Sequence, residues 1–95
     1  MQDQIRHVPQ ASRFILGMEG QVAVLDYRLQ GDRMLITHTG VPEALRNRGL
    51  AAALTHAAIG YAQAQGLKVV PACSYAAGFL RRHPEYATLV TSSAG

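Results

Sequence analysis

The hydrophobic period changes at Pro42, and this change constrains the fold more than any other feature of the sequence. Before Pro42, apolar and polar residues alternate, as in residues 25–29, where two leucines and a tyrosine flank an aspartate and an arginine. That period of two is typical of a strand with one solvated face. After Pro42 the chain is rich in alanine, and apolar residues recur at helical spacing until Gly66, which predicts one long helix. Strands followed by such a helix indicate an α/β fold.

The same patterns predict the individual elements. Residues 4–8, 12–18, 21–30 and 33–41 are predicted strands, with tight turns at Gly20 and at Gly31-Asp32. Residues 67–73 are predicted to form a buried strand after the helix, residues 74–82 a short helix, and residues 84–90 a turn or short helix. The predicted architecture is therefore four antiparallel strands, a β-α-β unit and a short C-terminal helix. In the fourth strand, strict alternation predicts two faces, one with Met34, Ile36 and His38 and the other with Leu35, Thr37 and Thr39.

Pro71 interrupts the predicted fifth strand. A proline has no N–H to donate to a neighbouring strand, so this strand must lie at an edge or separate from its parallel neighbour at that point. Separation of two parallel strands would leave a cleft between them.

Composition limits the classes of protein to which this chain can belong. Its 95 residues, 48% of them hydrophobic, fit one globular domain, predicted at residues 1–90 with a flexible tail at 91–95. A single cysteine, Cys73, and four histidines without ligand spacing predict neither a disulfide nor a metal site. The apolar stretches are too short to cross a membrane and no signal pattern begins the chain, so we expect a cytoplasmic protein.

The segment Arg46-Asn47-Arg48-Gly49-Leu50-Ala51-Ala52 carries the strongest chemical signal, because it opens the long helix. A helix start presents unpaired backbone N–H groups and the positive end of the helix dipole, which together favour an anion. Gly49 and Ala51 leave the backbone accessible, and Arg46 and Arg48 add charged donors. Phosphate binding is the predicted use, although the glycine of a short motif can also be a mere irregularity of the first turn.

This segment matches neither the G-x-x-x-x-G-K-[ST] nor the G-x-G-x-x-G phosphate motif. It resembles instead the Arg/Gln-x-x-Gly-x-Gly/Ala signature with which GNAT acetyltransferases bind the pyrophosphate of acetyl-CoA. The flanking stretches, residues 38–42, 71–75 and 82–86, resemble the small YjdJ-type subfamily of GNAT proteins. Together the similarity covers most of residues 34–90.

The resemblance implies a truncated GNAT fold that uses acetyl-CoA as co-substrate and acetylates a small or protein amine. In such proteins the pantetheine arm lies between splayed fourth and fifth strands, near a bulge in the fourth. Here that implies cofactor contacts with His38, Thr39, Val41 and Tyr75. The later strands that complete the acceptor pocket in longer relatives are missing, so the sequence does not identify the acceptor. This suggests that a partner chain completes the pocket, and the sequence does not show whether that partner is a second copy.

Three residues are candidates for the chemistry. Histidine is the side chain that most often acts as a general base, which makes His38 a candidate base, and Cys73, expected across the same gap, suits a nucleophile that accepts the acetyl group. Tyr75 suits the acid that protonates the CoA thiolate. Each also has a purely structural interpretation: a histidine bonded to backbone, a packed thiol and an apolar ring with a polar tip. The subfamily often carries glutamate where this chain has Gly40, which leaves His38 or a water molecule to act.

Two further functions compete with acetyl transfer. A non-catalytic acetyl-CoA-binding module would need the segment 46–52 but neither His38 nor Cys73. A small basic nucleic-acid-binding protein would account for the net charge of +3, but the arginines have few aromatic residues among them, so we expect no nucleic-acid partner.

Overall fold

The computed structural model describes residues 4–91 as a two-layer α/β domain. Its order is β1 (Ile5–Val8), β2 (Arg13–Met18), β3 (Gln21–Gln30), β4 (Arg33–Gly40), α1 (Leu50–Ala64), β5 (Lys68–Pro71) and α2 (Ser74–Arg81), with short 3₁₀ turns at Pro9–Ala11, Glu43–Leu45 and Pro84–Leu89. The predicted α/β fold class is confirmed. Of the predicted tail at 91–95, all but Thr91 lies outside the described residues.

The five strands form one sheet in chain order, β1-β2-β3-β4-β5. The first four are antiparallel, and β4 and β5 are parallel because α1 carries the chain from the end of one to the start of the other. Gly66, just past α1, has a φ of 71°, and Leu67 N donates to Ala62 O at 2.8 Å. These features are the predicted left-handed C-terminal stop of a helix.

One face of the sheet, called here the covered face, packs against both helices. Its apolar side chains and those of α1 and α2 belong to a single buried cluster, whose largest fully buried members include Phe79, Leu16, Leu25, Met34 and Leu54. The opposite face, called here the open face, contributes no side chain to this cluster. The helices thus occupy one side of the sheet.

The parallel pairing of β4 with β5 stops at Pro71. Ile36 and Pro71 are the last partners in register, and Ala72 N still donates to Ile36 O at 2.9 Å. Beyond that point β4 continues to Gly40 and pairs with β3 alone. β5 is an edge strand that ends at its proline, two residues earlier than predicted. A gap therefore opens between the carboxyl ends of β4 and β5.

Candidate functional site

The loop before α1 is shaped by two left-handed residues. Asn47 has a φ of 66° and Gly49 a φ of 77°, while Arg46 is extended. Glycine adopts this region without strain, and asparagine does so more easily than most residues. The loop consequently turns sharply, and α1 begins at Leu50 with Gly49 as its N-cap.

The first turn of α1 has no side-chain cap and no acidic residue. Its first internal backbone bond runs from Ala53 N to Gly49 O at 3.0 Å. The amides of Leu50, Ala51 and Ala52 precede that bond, so they are donors without a partner within the helix. Since an added Cβ on Gly49 would meet nothing within 4 Å, the approach to these amides is open.

A cleft of about 320 Å³ lies at this helix start. It is lined by nine residues, namely Val41, Leu45, Arg46, Asn47, Gly49, Leu50, Ala51, Ala52 and Tyr75. The structure thus brings together eight of the residues that the sequence analysis assigned to cofactor binding. Leu45 was missed; it is fully buried, and its only signal in the sequence was an apolar residue between Pro42 and the arginine motif.

The two arginines of the motif reach different partners. Arg46 Nε donates to Val41 O at 3.2 Å, across the mouth of the loop. Arg48 lies outside the cleft lining, and its guanidinium forms an exposed ion pair with Glu19 at 2.5 Å. An exposed pair of this kind contributes little to stability and can exchange partners. Glu19, in the β2–β3 turn, is a neighbour of the site that the sequence analysis did not identify.

A β-bulge in β4 reverses the predicted faces of its last residues. Asp26 of β3 is in register with His38, and the next residue of β3, Tyr27, is in register with Ile36, so Thr37 is the extra residue. Thr39 therefore shares the covered face with Ile36, and the exposed His38 lies on the open face. The prediction that His38 and Ile36 share a face was wrong, because strict alternation cannot account for a bulge.

Cys73 lies on the other side of the gap from β4, as the N-cap of α2. Its Sγ accepts a weak hydrogen bond from Ala76 N at 3.5 Å and lies 3.8 Å from Thr39 Oγ1. Thr39, rather than His38, is thus the residue of β4 that faces the thiol. The structure does not bring Cys73 and His38 together as a catalytic pair.

Comparisons with known proteins show the family and the fold of this chain. The profile of a family described as GCN5-related N-acetyltransferase matches residues 13–89. The chain belongs to this family. It is 32% identical to Protein NATD1 of Gallus gallus over 84 residues, which cover 85% of this chain and 76% of that one, and 31% identical to Protein NATD1 of Homo sapiens, with 84% and 74% covered. The solution structure of a GCN5-like protein from Staphylococcus aureus matches with a TM-score of 0.75 at 25% identity, covering 93% of this chain and 87% of the other.

Gly40 explains how this member of the family places His38. Both residues lie on the open face, and an added Cβ on Gly40 would come within 2.9 Å of His38 Nε2. The imidazole therefore lies over the backbone of Gly40, in space that a larger residue at position 40 would occupy.

Tyr75, on the first turn of α2, is one of the residues that line the cleft. Burial raises the pKa of Tyr75 above its ordinary value, while the positive charge of Arg82 and a hydrogen bond to it act in the opposite direction. The phenol consequently stays protonated at neutral pH, as a proton donor must.

Within residues 4–91, no group of three or more His, Cys, Asp or Glu side chains could hold a metal ion. No helix in the same range is both long and apolar enough to cross a membrane.

Proposed function

We propose that this chain is an acetyl-CoA-dependent N-acetyltransferase that transfers the acetyl group directly to an amine. The observation that carries the proposal is the cleft at the start of α1, where uncapped amides, a left-handed glycine and Arg46 converge. This donor set fits a diphosphate, because unpaired N–H groups at a helix start and charged guanidinium donors are the usual ligands of phosphate oxygens.

From the cleft, the rest of the cofactor would extend into the gap between β4 and β5. Val41 and Tyr75 both line the cleft at its β4 and α2 sides, and residues 37–40 of β4 have no β5 partner. The pantetheine arm would pair with this free edge at Thr39 and Val41. When bound, acetyl-CoA supplies an activated thioester, and the chain's own residues must manage the protons.

His38 and Tyr75 would divide that work. His38 is exposed on the open face and would accept the proton of the amine as its nitrogen bonds to the acetyl carbon. The bond from that carbon to sulfur breaks in the same transfer, and the Tyr75 hydroxyl would donate a proton to the departing thiolate. The two groups lie on different sides of the gap, so His38 would act on the attacking amine and Tyr75 on the departing thiolate.

Direct transfer is preferred to a route through Cys73. The thiol caps α2 and faces Thr39, and no histidine of residues 4–91 forms a hydrogen bond with it. A base that draws off its proton is therefore missing, and the thiol would be a weak nucleophile.

The test combines calorimetry with acetyl-CoA and an assay of CoA thiol release with amine acceptors. We expect binding by the wild type, turnover that His38→Gln lowers by about 10²–10⁴-fold, and acetyl-CoA affinity that this substitution leaves unchanged. Mass analysis after incubation without acceptor should show no hydroxylamine-labile acetyl group. A single labile acetyl group absent from Cys73→Ala would contradict direct transfer. Tight binding with no turnover on any amine would leave only the acetyl-CoA-binding module.

A further inference from the structure

The open face of the sheet carries an unusual distribution of charge. Among residues 4–91, strand alternation and the register place on it five basic residues and one acidic residue: Arg6, Arg13, Arg28, Arg33 and Lys68, with Asp26. The whole chain has a formal net charge of only +3. The open face has four more basic than acidic residues, so its formal charge exceeds the net charge of the whole chain.

Asp26, the one carboxylate among the described residues of the open face, forms an ion pair with Arg13. Arg13 Nε donates to Asp26 Oδ1 at 2.6 Å, and Arg13 Nη2 donates to Oδ2 at 3.3 Å. Arg6 and Arg28 are exposed and form no ion pair with any acidic residue of the described chain. Lys68 Nζ donates to a backbone carbonyl, that of Thr88, and so keeps its charge. Arg6, Arg28 and Lys68 thus place positive charge on this face without a carboxylate partner among residues 4–91.

The centre of the open face is apolar. Ile15 and Val24 are partners in register, Leu35 lies beside Arg28 on the next strand, and Val22 is 50% exposed. None of these four side chains belongs to the buried cluster or packs against it. An apolar centre surrounded by cations is suited to a partner with apolar side chains and acidic groups around them.

The candidate base lies within this surface. Arg13, Asp26 and His38 occupy neighbouring positions of one row across β2, β3 and β4. Strands lie about 4.8 Å apart, so the row places His38 roughly 10 Å from Arg13. A segment bound across the open face would therefore pass beside His38 and the gap.

We propose that the open face docks an acidic polypeptide segment that presents the acetyl-accepting amine to His38. The inference rests on the proposed transfer reaction and adds the class of its acceptor. A polypeptide is favoured over a nucleic acid because no Phe, Tyr or Trp side chain lies on this face. Phe14 and Tyr27 belong to the covered face, so single-stranded bases would find no ring on which to stack.

The first test measures binding without turnover. The probe is a fluorescein-labelled peptide of alternating glutamate and leucine with one lysine, followed by anisotropy, and its counterpart has lysine in place of glutamate. We expect the acidic peptide to bind, and binding to weaken as salt rises. Arg28→Glu should weaken it by about tenfold. Arg81→Glu makes the same charge change on α2 and should have no such effect.

The second test measures turnover with both peptides. The acidic peptide should be acetylated with a kcat/KM at least about tenfold above that of the basic one, and Arg28→Glu should remove most of that preference through KM. Calorimetry should show unchanged acetyl-CoA affinity in Arg28→Glu.

The docking proposal would be overturned if the two peptides were acetylated with equal kcat/KM. It would also be overturned if Arg28→Glu left the affinity for the acidic peptide unchanged. An oligonucleotide that displaces the acidic peptide in an Arg28-dependent way would overturn it in favour of nucleic acid. Failure of the wild type to bind acetyl-CoA is a different result: it would contradict the transferase proposal while the peptide anisotropy still decides whether the open face docks an acidic segment.

Discussion

At the scale of single residues, Gly49 combines a backbone requirement with a chemical one. Its φ of 77° means that alanine or glutamate at this position costs about 1–2 kcal/mol of folding free energy. We expect Gly49→Ala and Gly49→Glu to lose similar stability in urea. Only Gly49→Glu should abolish acetyl-CoA binding in calorimetry, because its carboxylate would repel a diphosphate at the helix start.

Gly31 provides the matched control for this pair. It has a φ of 59°, an added Cβ meets nothing within 4 Å, and it lies in the β3–β4 turn, away from the cleft. Gly31→Glu should reproduce the loss of stability and leave binding intact. If folded Gly49→Glu binds acetyl-CoA as tightly as Gly49→Ala does, the pyrophosphate assignment fails.

His7 gives the protein a pH dependence at the same scale. Its ring stacks on Phe14 at 4.1 Å between centroids, and its Nε2 lies 2.5 Å from the Tyr27 hydroxyl. Burial lowers the pKa of His7 below 6.5, so near and below that pH the unfolded chain binds more protons than the folded one. Above pH 6.5 the contribution of His7 to the free energy of unfolding is fully present. It is lost as the pH falls from the pKa of His7 in the unfolded chain to its lower pKa in the folded one.

The urea midpoint should accordingly decrease as the pH is lowered from about 7.5 to about 5.5, and His7→Gln should make that decrease smaller. His38→Gln, at an exposed position, serves as the control and should leave the decrease unchanged. An identical pH profile in His7→Gln and the wild type would refute the assignment.

At the scale of elements, α2 depends on a sulfur atom for its N-cap. Cys73 Sγ accepts from Ala76 N at 3.5 Å, and sulfur is a weak acceptor. Serine is among the preferred N-cap residues, so we expect Cys73→Ser to be about 1 kcal/mol more stable than Cys73→Ala in chemical denaturation. Both variants should retain turnover if transfer is direct. Equal stability of the two would show that the cap contributes nothing.

At the scale of the whole molecule, a chain of 95 residues should respond strongly to its ligand. A ligand at 100 times its Kd stabilises a protein by about 2.7 kcal/mol, which for a domain of this size raises Tm by roughly 10–20 °C. We expect acetyl-CoA to produce such a shift in differential scanning fluorimetry. Pantetheine, which lacks the diphosphate, should not, and a comparable shift with pantetheine would place the main binding energy outside the helix start.

Completion of the acceptor pocket by a second copy of the chain stays a prediction, and it concerns the whole molecule. Sedimentation at rising protein concentration, with and without acetyl-CoA, measures it directly. A monomer that turns over acceptor peptides would show that the short chain needs no partner copy.

The sequence alone determined the features that depend on neighbouring residues. The strands, the long helix and its stop at Gly66 follow from local hydrophobic period and backbone preference, which a short stretch of chain carries within itself. The cleft was predictable for the same reason, since Arg46 to Ala52 are contiguous and a helix start exposes its amides wherever it lies.

Only the tertiary structure decided which side chains meet across the sheet. The bulge at Thr37 depends on the register between β3 and β4, and it sends His38 to the open face and Thr39 toward Cys73. Arg48 pairs with Glu19, 29 residues earlier in the chain. Register and such distant contacts are set by the packing of whole strands against one another, and a period of two is the same before and after a one-residue slip, so the sequence pattern holds no record of them.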